Sequence, residues 1–167
     1  MKVLMINGSP RRNGNTAIAL REMEPIFAAQ GIETETIQVG NQDIRGCISC
    51  YSCMKNGKCV FDDLVNQVAP KFEACDGLVV ARRGGTTATF DELNKYFTIS
   101  GMPVASSQYW NSVHGREMGE AAQDWEGLQT MRTLARNMAF LMKSIALGKV
   151  QYGLPEKEEP IRTHFIR

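Results

Sequence analysis

The chain is 167 residues long, 43% apolar and 22% charged, which fits one globular domain and excludes a disordered chain. Nineteen Lys and Arg against eighteen Asp and Glu leave a net charge of +1, so neither nucleic acid nor an anionic membrane is expected as the main partner. No apolar run approaches the ~18 residues of a bilayer span, and the one near the N-terminus is too short for a signal peptide, which points to the cytoplasm.

Residues 2–6, KVLMI, are an apolar run closed at once by Asn7-Gly8-Ser9-Pro10, the pattern of a buried strand entering a turn. Residues 7–15 read as loop. A helix is expected from Thr16, with Leu20, Met23 and Phe27 spaced by three and four, Asn15 or Thr16 as N-cap and Gly31 as its end. Residues 32–39 give a weak strand, and residues 40–59 are turn-rich. Asp62-Asp63 opens a second helix with Leu64, Val68 and Phe72 on one face, where Pro70 predicts a kink or break.

Residues 77–81, GLVVA, form another buried strand, followed by Arg82-Arg83-Gly84-Gly85-Thr86-Thr87. A helix over 89–97, a short strand over 102–106 and a polar aromatic loop over 107–115 come next. The longest helix covers 123–147, with Trp125, Leu128, Met131, Leu134, Met138, Leu141 and Ile145 on one face. Residues 1–148 thus form one domain with a cysteine-rich loop over 46–60, and the charged, proline-bearing residues 149–167 an extended arm.

Short buried strands alternating with helices define an α/β fold, a doubly wound parallel sheet with helices on both faces. Such sheets bind ligands beyond the carboxyl ends of their strands. The segments 7–15, 40–59, 82–87 and 107–115 all lie on that edge, and they carry the unusual chemistry of the chain.

In the first of them, Ser9-Pro10-Arg11-Arg12-Asn13-Gly14-Asn15-Thr16 offers hydroxyls, an amide, a guanidinium and the free N–H groups of a helix start, a combination suited to phosphate. It is neither a Walker loop nor GxGxxG. The stretch KVLMINGSPRRNGNTAIAL resembles the opening of the flavodoxin-like NAD(P)H-dependent FMN reductases, close to the iron–sulfur flavoproteins. GCISCYSCMKNGKCVFDD, CDGLVV, ARRGGTTATFDELNKYF and SSQYWNSVHG extend the resemblance, in order, over most of the chain.

The resemblance implies that Ser9, Arg11, Asn13, Gly14, Asn15 and Thr16 wrap the phosphate of FMN. On the ligand edge, Arg82, Arg83, Gly84, Gly85 and Thr86 allow close approach of a flat ring and donation to its pyrimidine side; the plainer reading is a basic turn that caps the next helix. Tyr109, Trp110, Asn111 and His114 line either a ring or nicotinamide pocket or a subunit contact.

One departure stands out. The family places a further loop, helix and strand between a GLVV-type strand and an ARRGG-type turn, whereas here Val80 runs directly into Ala81-Arg82-Arg83. One central βα unit is missing. Either it is deleted, leaving a four-stranded sheet without one wall of the flavin site, or a segment is left out of the sequence as given. The second is favoured because a missing central unit bares apolar edges and faces; an intact mass of 18.6 kDa excludes it.

Cys47, Cys50, Cys53 and Cys59 form a tight x2, x2, x5 array. In a reducing compartment this is no disulfide framework. The spacing suits a [4Fe–4S] cluster, much as in the ferredoxin run with a different last gap; idle or redox-active thiols and zinc stay open as alternatives. Cys75 reads as a buried apolar residue.

The resemblance therefore implies an oxidoreductase that carries electrons from NAD(P)H through FMN to a quinone, a flavin or another small acceptor, with no side chain nominated as catalytic. It also implies a homodimer or homotetramer. The alternative is an iron–sulfur flavoprotein acting as a non-turnover electron carrier or redox sensor.

Overall fold

The structure, a computed structural model, describes residues 1–82, 84–161 and 163. Three parallel strands, β1 (Lys2–Asn7), β2 (Glu33–Gln38) and β3 (Gly77–Ala81), lie in the order β2-β1-β3. Five helices accompany them: α1 (Asn15–Ala29), α2 (Ser52–Asn56), α3 (Leu64–Ala74), α4 (Thr86–Ile99) and α5 (Trp125–Tyr152), with a short 3-10 turn at Glu120–Gln123 before the last.

The central strand is apolar from Val3 to Ile6 because both its faces are covered. Successive residues point to opposite sides, so Val3 and Met5 meet Leu20, Met23 and Phe27 of α1 and Met131, Ala135, Met138 and Met142 of α5. On the other face Leu4 and Ile6 meet Val68 of α3. Gly77 lets α5 settle on the sheet: a Cβ there meets Met138 Cε at 2.4 Å and Met142 Sδ at 2.9 Å. The doubly wound α/β expectation holds.

Several expectations need correction. The N-cap of α1 is Gly14, not Asn15 or Thr16. Pro70 neither ends nor interrupts α3, which runs through it and is capped by the Asp63 carboxylate accepting from Val65 N–H. Strand β3 has the expected ends but is only half-buried along its length, because no described strand lies on its outer side.

Residues 102–106 form no strand, so the sheet has three strands where a deletion was expected to leave four. The reason is local: a lone segment beyond a vacant strand position has no ladder to join. Helix α5 runs to Tyr152, and its buried line is Leu128, Met131, Ala135, Met138, Ala139 and Met142, with Trp125 76% exposed. Leu134, Leu141 and Ile145 border a cavity beside β3 together with Met131, Met138 and Met142 of that line, and Leu134 also packs against the core.

Candidate functional site

Loop 8–14 leaves the carboxyl end of β1 and is pinned from every side. Asn7, with a fully buried side chain, accepts the Ser9 N–H on Oδ1 at 3.0 Å. The Ser9 hydroxyl accepts the Arg11 N–H at 3.2 Å, and Gly8 N–H donates to Ala81 O of β3 at 2.8 Å. The Gln38 side-chain amide donates to Ser9 O. A Cβ on Gly40 would lie 2.2 Å from the Ser9 carbonyl carbon, so only glycine passes there. Asn7, Gln38 and Gly40 are supports that the sequence reading did not single out; the strand-end position of Asn7 and the Gly after the second strand were their only signals.

The loop closes on the start of α1, where Gly14 supplies no side-chain cap and the first turn holds no acidic residue. The exposed N–H dipoles there favour an anion. A cavity of about 160 Å³ forms at this point, lined by Ser9, Pro10, Arg11, Gly14, Asn15, Thr16 and Arg82. The donor set and the size fit a phosphate group. Of the two adjacent arginines, Arg82 reaches this cavity; Arg83 lies outside the described residues.

Two of the expected binding residues have other commitments. The Asn13 Oδ1 accepts from Arg21. The Asn15 side chain donates to Glu117 O at 2.8 Å and accepts from Gly119 and Ala121 N–H, so it ties the 117–121 turn to the anion loop.

A second cavity of about 780 Å³ opens beside the first and shares Asn15, Thr16 and Arg82 with it. Gly84, Gly85, Asn111, Ser112 and His114 line it as well, so the structure gathers the 82–85 and 111–115 segments at one place. Tyr109 and Trp110 point elsewhere: they are about two-thirds exposed and touch each other, ring centroids 5.5 Å apart.

Asp124 sets the position of this second loop. Its Oδ2 accepts the His114 N–H at 2.6 Å and lies 3.4 Å from the imidazole, while Oδ1 caps α5 by accepting from Gly127 N–H at 3.0 Å. Burial pushes the carboxyl up, but these N–H groups and His114 outweigh it and hold the carboxyl below its ordinary value.

The cysteine loop has a different character. Cys47, Cys50 and Cys53 are exposed and Cys59 is half-buried. Asn66 staples the far end of the loop by bonding Cys59 N–H, Cys59 O and Phe61 O, and Ser49 N–H points at Cys47 Sγ at 3.4 Å. Ser49 and Tyr51 both take positive φ. The four sulfurs share one loop, yet among the described residues no three His, Cys, Asp or Glu side chains are grouped to hold a metal ion.

Among the described residues no helix is long and apolar enough to cross a membrane. Residues 1–83 match the family model for NADPH-dependent FMN reductase. The chain is 27% identical to an iron–sulfur flavoprotein of Methanocaldococcus jannaschii over 87% of this chain and 99% of the relative. It is 22% identical to an iron–sulfur flavoprotein of Methanosarcina thermophila over 87% of this chain and 97% of that one.

The fold matches the crystal structure of RosB with bound 8-demethyl-8-formylriboflavin-5'-phosphate, at a TM-score of 0.61 and 16% identity, over 99% of this chain and 92% of RosB. The alignment to the M. jannaschii protein spans 191 positions but takes in only about 145 residues of this chain, leaving about 45 positions without a counterpart here. The match over residues 1–83 and the likeness to these curated relatives along most of the chain support the flavodoxin-like FMN reductase family for it.

Proposed function

We propose that the protein binds FMN, with the phosphate in the cavity formed by Ser9, Arg11, Gly14, Asn15, Thr16 and Arg82, and that it passes electrons from NAD(P)H to a quinone, a flavin or another small acceptor. The observation that carries this reading is that cavity: a helix start without acidic side chains, two arginines and two hydroxyl residues around a phosphate-sized space. FMN held there would supply hydride-accepting chemistry and the release of electrons singly or in pairs. The chain's own residues hold the phosphate, present the glycines at 84 and 85 toward the ring, and fix the 111–115 loop through Asp124. FMN titration followed by its fluorescence, then steady-state oxidation of NADH and NADPH, tests the proposal. Arg11→Ala is expected to weaken FMN about 10- to 100-fold, the worth of a charge-assisted hydrogen bond. Unchanged affinity, or no nicotinamide oxidation by the loaded protein, rejects it.

A second reading rests on Cys47, Cys50, Cys53 and Cys59 on one accessible loop, and on relatives named as iron–sulfur flavoproteins. In it the four thiolates hold an iron–sulfur cluster and the protein relays electrons without turnover. Iron and labile sulfide in anaerobically purified protein, lost in Cys50→Ser, support it; protein free of both removes it. The acceptor is a small molecule in the first reading, and a homodimer or homotetramer in the cytoplasm is proposed for both.

A further inference from the structure

The 780 Å³ cavity lies where a strand is missing: β3, residues 102–105, α4 and α5 all border it, and among the described residues β3 has no neighbour on its outer side. The lining is what a sheet would cover: Leu134, Leu141 and Ile145 of α5, and Phe90, Leu93 and Phe97 of α4. No residue of α4 joins either core cluster.

We propose that residues 102–106 are a displaced fourth strand, and that the chain closes the cavity by pairing this segment in parallel with β3. Strand β3, helix α4 and residues 102–106 follow one another as a βαβ unit, whose usual arrangement places the two strands side by side in one sheet. Gly101, at φ 70°, makes the turn from α4 into the segment, and Pro103 stands near its beginning, where the missing N–H is tolerated. At the other end Asn137 donates to Ser106 O at 2.7 Å and Gln108 to Thr130 at 3.4 Å. These two bonds tether the end of the segment to α5. Closure covers the open edge of β3 and buries Val104, now 42% exposed.

Hydrogen exchange on the full chain reads the pairing directly. In the open arrangement Val104, Ala105 and Ser106 lie outside any strand and exchange as loop amides. Closure predicts that these amides, and the β3 amides that point away from β1, are slowed by about a hundredfold or more relative to loop amides, equally in concentrated and dilute protein. Val104→Asp places a charge on the closing segment. It is expected to return both sets to loop rates, while β1, α1 and the β3 amides bonded to β1 keep their protection. Loop-like exchange of 104–106 in the unaltered chain overturns the proposal, as does a V104D protein whose outward-pointing β3 amides stay as slow as before. Protection that disappears on dilution also overturns it, since a second copy then supplies the strand. If V104D fails to fold, the unaltered chain alone decides.

Discussion

Gly40 and Asp124 show how single residues far apart in sequence build one site. Gly40 has no special backbone angle; it matters because Ser9 leaves no room for a Cβ. Gly40→Ala is therefore expected to push the anion loop off its place and weaken FMN at least tenfold, with helix content by circular dichroism unchanged; normal affinity refutes the close-approach argument. Asp124 serves as both helix cap and loop anchor. Asp124→Ala strands two N–H groups, and urea unfolding is expected to show a loss of about 1–2 kcal/mol. Because its carboxyl is held below the ordinary value, the stability it lends is complete above the unfolded carboxyl's pKa of ~3.9. That stability is lost as pH falls through the lower folded value. Asp124→Asn keeps a capping oxygen but is expected to flatten this acid limb of the melting-temperature profile.

At the scale of elements, what the sequence makes legible is whatever depends on one stretch of chain. KVLMI and GLVVA announce buried parallel strands by composition alone, and both appear with nearly the expected ends. The phosphate loop is legible for the same reason, since its chemistry sits between one strand and one helix. Elements that need a distant neighbour are not. Residues 102–106 have the composition of a strand, but a strand exists only beside another, and the position next to β3 is vacant. The apolar stripe of α5 likewise serves both the core and the vacancy, with Met131, Met138 and Met142 at both, a double role that spacing alone does not encode. The α1–α5 contact, by contrast, is complete: Phe27 is fully buried among the methionines of α5. Phe27→Ala is expected to cost about 3–5 kcal/mol in urea unfolding; a loss below about 1 kcal/mol means that the helix pair is not the main core.

In the whole molecule the anion loop is also a junction. It is bonded to β3 through Gly8 and Ala81, touches β2 through Gln38, and reaches the turn before α5 through Asn15. A ligand seated there ties together elements that the vacancy beside β3 otherwise leaves loosely joined. Binding to the folded state alone stabilises by about 2.7 kcal/mol at a hundred times Kd, which for a domain of this size raises the melting temperature by about 5–10 °C. FMN is expected to give this shift and riboflavin, which lacks the phosphate, little of it. Equal shifts from both would place the binding energy on the ring rather than at the junction. Since Arg11 and Arg82 both line the small cavity, the FMN shift should also shrink as salt screens them, whereas ring stacking in an apolar space would keep it constant.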